Sequence, residues 1–116
     1  MKKNDKNYLD FIPIKNSKIT WSEDNLGIVT LEITRKGLFD KIAQNLFKVP
    51  KSSSIKLDKL GSCVWKNIDG ERSIYDISKY VKASFGKDCE PLYERLITYF
   101  TILKDNKFVS LKKDGR

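Results

Sequence analysis

The stretch KLDKLGSCVWKNIDGERSIYDI, Lys56 to Ile77, decides how this chain is read. It reads as a helix, a tight stop and a second helix. Asp58 is a residue type that caps helix N-termini, because its short carboxylate reaches the unpaired amides of the first turn. Leu60, Val64 and Ile68 then recur at four-residue spacing, with Cys63 and Trp65 flanking them. Gly70 stands where a left-handed C-terminal cap is expected. Ser73 is the next N-cap candidate, and Asp76, three residues on, completes a weak capping box. The second helix turns Ile74, Ile77, Val81 and Phe85 inward and is expected to end at Gly86.

Outward from this stretch the pattern changes. In SSSIKL, Ile55 and Leu57 alternate with Ser54 and Lys56, the two-residue period of a short strand. Earlier, KITWSEDNLGIVTLEI looks like a hairpin, with SEDNLG as its turn and a β-branched run from Ile28 to Ile33. Between them, KGLFDKIAQNLFKVP has a helical period, so an inserted helix is expected over Gly37 to Phe47, stopped by Pro50. On the other side, Pro91 stands where a third helix would start. That helix should run to about Lys104 or Asp105, and DNKFVSLKK should close the chain with a turn and a short strand or wing. The expected fold class is α+β and winged-helix-like: a small antiparallel N-terminal β-sheet followed by a three-helix bundle. At 116 residues it should form a single domain over 1–116, with 1–10 and 112–116 expected to be flexible.

Composition excludes more than it identifies. Histidine is absent, which removes the usual general base near neutral pH and the commonest metal ligand. Cys63 and Cys89 alone make neither a structural zinc site nor a disulfide framework, so a reduced, cytoplasmic setting is expected. The start, MKKNDKNYLDFIPI, lacks the apolar run of a signal peptide. No stretch approaches the roughly 20 apolar residues of a membrane span. No enzyme chemistry, metal or cofactor is expected. The net charge of +8 raises nucleic acid as a partner, but its distribution is uneven. Seven basic residues face two acidic ones from Arg35 to Lys59, against eleven and eight from Gly61 to Arg116. A solubilising face with no partner explains such charge equally well.

The pattern resembles the PqqD-like family, the small peptide chaperones also called RiPP recognition elements. The resemblance rests on Leu57-Asp58, Gly61, Val64-Trp65, Asp69-Gly70 and Ser73, then Phe85, Glu94 and Arg95. It covers roughly 53–109, and the N-terminal half is longer than the family's minimal pattern. The resemblance implies a non-catalytic chaperone that binds the leader of a ribosomally made precursor peptide. It further implies that the leader adds as a strand to the third strand, beside the last helix, and is presented to a radical SAM or other peptide-modifying enzyme.

The residues give that mechanism some independent support. On the last helix, Tyr93, Leu96, Ile97 and Phe100 make a sufficient core arc, with Leu92, Tyr99 and Ile102 on its shoulder. The apolar surface exceeds the stripe that one-sided packing needs. It is covered either by the N-terminal elements, by a peptide or by a second copy. Arg95 projects from the same shoulder, where it can meet an acidic residue. The other wall would be the edge strand Ser53, Ser54, Ile55, Lys56 and Leu57, flanked by Lys51 and Lys59. These lysines either attract an acidic peptide or guard the edge against aggregation. The expected peptide-binding set is therefore those five residues with Leu92, Arg95, Leu96, Tyr99 and Ile102. Trp65 is expected in the core or on the groove floor, and Cys63 as a small buried hydrophobe. Monomer and strand-paired dimer are both open. The rival reading is a winged-helix DNA-binding regulator. Lys79 and Lys82 on the second helix, and Glu94, Arg95, Thr98, Thr101 and Lys104 on the third, make a poor base-reading set, so nucleic acid is not the expected partner.

Overall fold

The computed structural model describes residues 8–34 and 52–113. The inserted helix expected over 37–47, and Lys51, lie outside the described residues. Among the described residues five strands, β1 (Ile12–Lys15), β2 (Ile19–Glu23), β3 (Val29–Thr34), β4 (Ser52–Lys56) and β5 (Val109–Lys112), combine with three α-helices, α1 (Lys59–Lys66), α2 (Ile74–Phe85) and α3 (Leu92–Asp105). The result is the α+β, winged-helix-like arrangement, with antiparallel N-terminal strands followed by three helices. The strands make two sheets rather than one. β2, β3 and β4 form a three-stranded sheet in that order, while β1 pairs with β5 from the other end of the chain.

Local chemistry fixes most element ends. In the β2–β3 turn, Asp24 Oδ1 accepts from the Leu26 and Ile28 amides at 2.8 and 3.0 Å. Those bonds hold its carboxyl below the usual carboxylate range. Gly27 supplies a φ of +82° there. Asp58 caps α1 by accepting from Gly61 N at 2.7 Å, and Ser73 with Asp76 forms a complete capping box on α2. Gly70 has φ +83°, but it does not cap α1, which already ends at Lys66 with Asn67 as its cap. The loop is held by Asp69 instead, whose Oδ1 accepts from Glu71 N and Arg72 N at 2.9 and 2.8 Å. Across the sheet, Val29 and Leu31 are fully buried while Thr30 and Glu32 on the other face are only half-buried.

The core joins Val29 and Leu31 to Val64, Trp65, Ile74, Ile77 and Val81 of α1 and α2, and to the inner stripe of α3. That stripe is Leu92, Leu96, Phe100 and Leu103. It is turned from the expected arc: Leu92 is buried, and Tyr93, placed in the core by spacing, is 44% exposed. A helix apolar over more than half its circumference does not reveal which side faces in. Packing against the rest of the core decides. The N-terminal segment is also less free than expected. Leu9 is buried in the core, Tyr8 Oη lies 3.0 Å from Thr101 Oγ1, and Phe11 O accepts from Ile74 N at 2.9 Å. At the other end Lys112 is paired with Ile12. Lys15 binds the parts together: its ammonium lies 4.5 Å from the Trp21 ring centre and 5.2 Å from that of Trp65.

Candidate functional site

β4 has one neighbour, β3, among the described residues. Its register pairs Lys56 with Thr30, Ile55 with Leu31, Ser54 with Glu32 and Ser53 with Ile33. Leu57 N donates to Val29 O at 2.8 Å. In an antiparallel ladder both main-chain groups of one residue point the same way and the direction alternates. Leu57, Ile55 and Ser53 therefore bond inward to β3, and Lys56, Ser54 and Ser52 direct their N–H and C=O to the open edge. Val29 N donates to the buried Ser62 Oγ at 2.8 Å, which releases the Leu57 carbonyl as the chain leaves the sheet. Side chains follow the same parity. Ile55 shares the core face with Leu31 but is 38% exposed, no described residue pairing with the strand's outer side. Ser54 lies on the opposite face, its Oγ donating to Glu32 Oε1 at 2.8 Å.

Where β4 ends, an open groove of about 470 Å³ begins between the first turn of α1 and one flank of α3. Asp58, Leu60 and Gly61 form one side, and Arg95, Thr98, Tyr99 and Ile102 the other, with Pro91 and Glu94 at the end. Its floor is a close approach of two helices. Tyr99 Oη donates to Gly61 O at 3.0 Å. A Cβ on Gly61 would lie 3.2 Å from Tyr99 Cε1. The Tyr99 ring packs edge-on to Phe100, with centroids 5.7 Å apart. Burial, with the Asp58 charge second, pushes the Tyr99 phenol well above its usual range, so it is a hydrogen-bond donor at every ordinary pH. Arg95 Nη1 donates to Asp88 O at 3.2 Å, which holds the guanidinium along the rim. Ile102 is 53% exposed.

The structure thus brings together Arg95, Tyr99 and Ile102 of the expected set. It does not bring Leu92 or Leu96 with them. Both are core residues, and the groove assignment for them is corrected. The edge residues Ser53, Ser54, Ile55 and Lys56 lead to the groove rather than line it, and Leu57 is half-buried against the core. Leu60, Thr98 and Pro91 were not singled out in the sequence as groove residues. Gly61 carried a signal: glycine inside a short helix is unfavourable, and close backbone approach is a standard reason for it. No group of three or more Cys, Asp or Glu side chains that could hold a metal ion occurs among the described residues. None of their helices is long and apolar enough to cross a membrane. Compared with known proteins, the chain matches no family model, no curated protein and no solved structure.

Proposed function

We propose that this chain is a non-catalytic peptide-binding module of the PqqD type. An extended leader segment of a precursor peptide adds as a fourth strand on β4, and its side chains seat in the groove between α1 and α3. The module then presents the peptide to a radical SAM or other peptide-modifying enzyme in the cytoplasm. The carrying observation is the parity of β4: the main-chain groups of Ser54 and Lys56 face the open edge, directly upstream of a groove with an exposed isoleucine. Both parts are required. Burying Ile102 contributes roughly 1.5–3 kcal/mol, whereas association costs an estimated 4–15 kcal/mol. Strand pairing, with one donor and one acceptor at each alternate residue, makes up the difference. Arg95, Lys56 and Lys59 favour a peptide with acidic residues and speed its encounter.

The test is a titration of the isotope-labelled chain with a short precursor-like peptide encoded beside its gene, read by NMR. Amide shifts should cluster on 52–57 and on Leu60, Arg95, Tyr99 and Ile102. Lys56→Pro removes only an outward-facing donor, so it should leave the sheet intact and abolish pairing. Ile55→Pro, which spacing alone suggests for the same purpose, removes a donor directed at β3 and damages the sheet itself. Undiminished peptide binding by a folded Lys56→Pro chain rules out addition at this edge. Absence of peptide shifts together with tight, salt-dependent duplex binding would replace the reading with a DNA-binding one.

A further inference from the structure

The opposite flank of α3 presents a different surface. Leu92, Leu96, Phe100 and Leu103 form its buried stripe. Arg95, Tyr99 and Ile102 lie to one side of that stripe, and Tyr93 lies to the other. There, between α2 and the start of α3, a second cleft of about 480 Å³ opens, floored by the buried Leu92 with Ser78 beside it and rimmed by Lys79, Lys82, Ala83, Glu90 and Tyr93. Two tyrosines stand at it, Tyr75 of α2 and Tyr93 of α3, 42% and 44% exposed. The Tyr75 and Tyr93 rings are 6.3 Å apart and tilted. Lys79 Nζ lies 4.9 Å from the Tyr75 ring centre.

Among the charged side chains that line the cleft, Lys79 and Lys82 stand against Glu90 alone. Asp76 keeps its negative charge but lies outside the lining, where it accepts from Ser73 N at 3.1 Å. Glu90 pairs with Lys82 and accepts from Leu92 N at 3.1 Å. Lys79 has no carboxylate in salt-bridge reach among the described residues, so the free charge at the cleft mouth is positive. Exposed tyrosines around an apolar floor are the composition of an interface centre, where lysines are ordinarily scarce. Lysine at such a place selects for carboxylates on the partner.

We infer that this cleft is a second docking face, taking an acidic segment of a partner protein whose apolar side chain fills the space over Leu92. A single-stranded nucleic acid fits less well. Stacked bases need open aromatic faces, and Lys79 already covers one face of Tyr75. Because the two surfaces lie on opposite flanks of one helix, a partner here leaves the groove at β4 free. The inference does not depend on strand addition at that edge.

The test uses the full labelled chain and two synthetic probes: a short capped peptide of glutamates around a central Leu-Phe pair, and its counterpart with every glutamate replaced by lysine. The acidic probe should shift the amides of Tyr75, Lys79, Ala83 and Tyr93, and the lysine counterpart should bind roughly tenfold more weakly or worse. Lys79→Glu and Tyr93→Ala, both at exposed positions, should each weaken the acidic probe by roughly tenfold, with the circular dichroism unchanged. Shifts confined to 52–57 and Ile102 would overturn the inference while leaving the groove reading standing. Equal response to both probes, no response to either at millimolar concentration, or tighter binding of oligothymidine over the same residues would overturn it as well.

Discussion

Gly61→Ala tests whether the groove floor is a built contact. In most helices this change is favourable by up to about 1 kcal/mol, because alanine loses less backbone entropy. Here the new Cβ would lie 3.0 Å from Asp58 Oδ1 and 3.2 and 3.3 Å from Tyr99 Cε1 and Oη. Neither neighbour gives way freely. Asp58 Oδ1 is held by the Gly61 amide, and Tyr99 Oη by the Gly61 carbonyl. The Tyr99 ring is backed by Phe100. Overpacking costs typically 1–3 kcal/mol, and loss of the tyrosine hydrogen bond adds about 1 kcal/mol. The balance is a destabilisation of about 1–3 kcal/mol, or a fall in Tm of roughly 4–18 °C for a domain of this size. Urea denaturation of wild type, Gly61→Ala, Tyr99→Leu and the double variant completes the cycle. With Tyr99 shortened, the alanine should become neutral or favourable, so the coupling should be about 1 kcal/mol or more. A Gly61→Ala chain as stable as wild type, or additivity in the cycle, would refute the reasoning.

Three further outcomes follow from the same geometry. Leu92→Ser should cost about 2–5 kcal/mol in urea unfolding, whereas Ile102→Ser should stay within about 0.5 kcal/mol; equal costs would mean that the buried stripe of α3 is wrongly identified. In peptide titrations Ile102→Ser and Arg95→Glu should weaken binding at least several-fold while the fold persists; full affinity in both would remove α3 from the site. For Tyr99 the folded state keeps its proton where the unfolded phenol loses it, so its contribution is whole below about pH 10 and is lost as pH rises further. The stability difference between wild type and Tyr99→Phe should therefore shrink above about pH 10, by up to roughly 1.4 kcal/mol per pH unit. A difference that stays flat or grows there contradicts burial of the phenol.

Much of the molecule was legible in the sequence because it rests on contacts within a few residues. The hairpin of β2 and β3, the short strand of Ile55, the caps at Asp58 and Ser73, and the end of α2 at Gly86 all follow from side chains reaching their own neighbourhood. Gly70 marks the limit of such reasoning. Its positive φ was legible, but Asn67 ends α1 three residues earlier by donating its own side-chain amide to Cys63 O at 2.8 Å. The candidate site was half legible. An edge strand and a surplus of apolar surface on α3 could be counted, but not which side of that helix the core would take.

What the sequence by itself determined was therefore β2 to β4, the three helices and the caps at Asp58 and Ser73, since propensity, capping and turn chemistry act over four residues or fewer. The tertiary structure alone decided three things. β1 pairs with β5 across nearly the whole chain. Leu92 rather than Tyr93 turns inward. The groove has its floor because Gly61 and Tyr99, 38 residues apart, meet through one hydrogen bond. Each depends on which surfaces exclude water against one another, a property of the packed whole that no local pattern encodes.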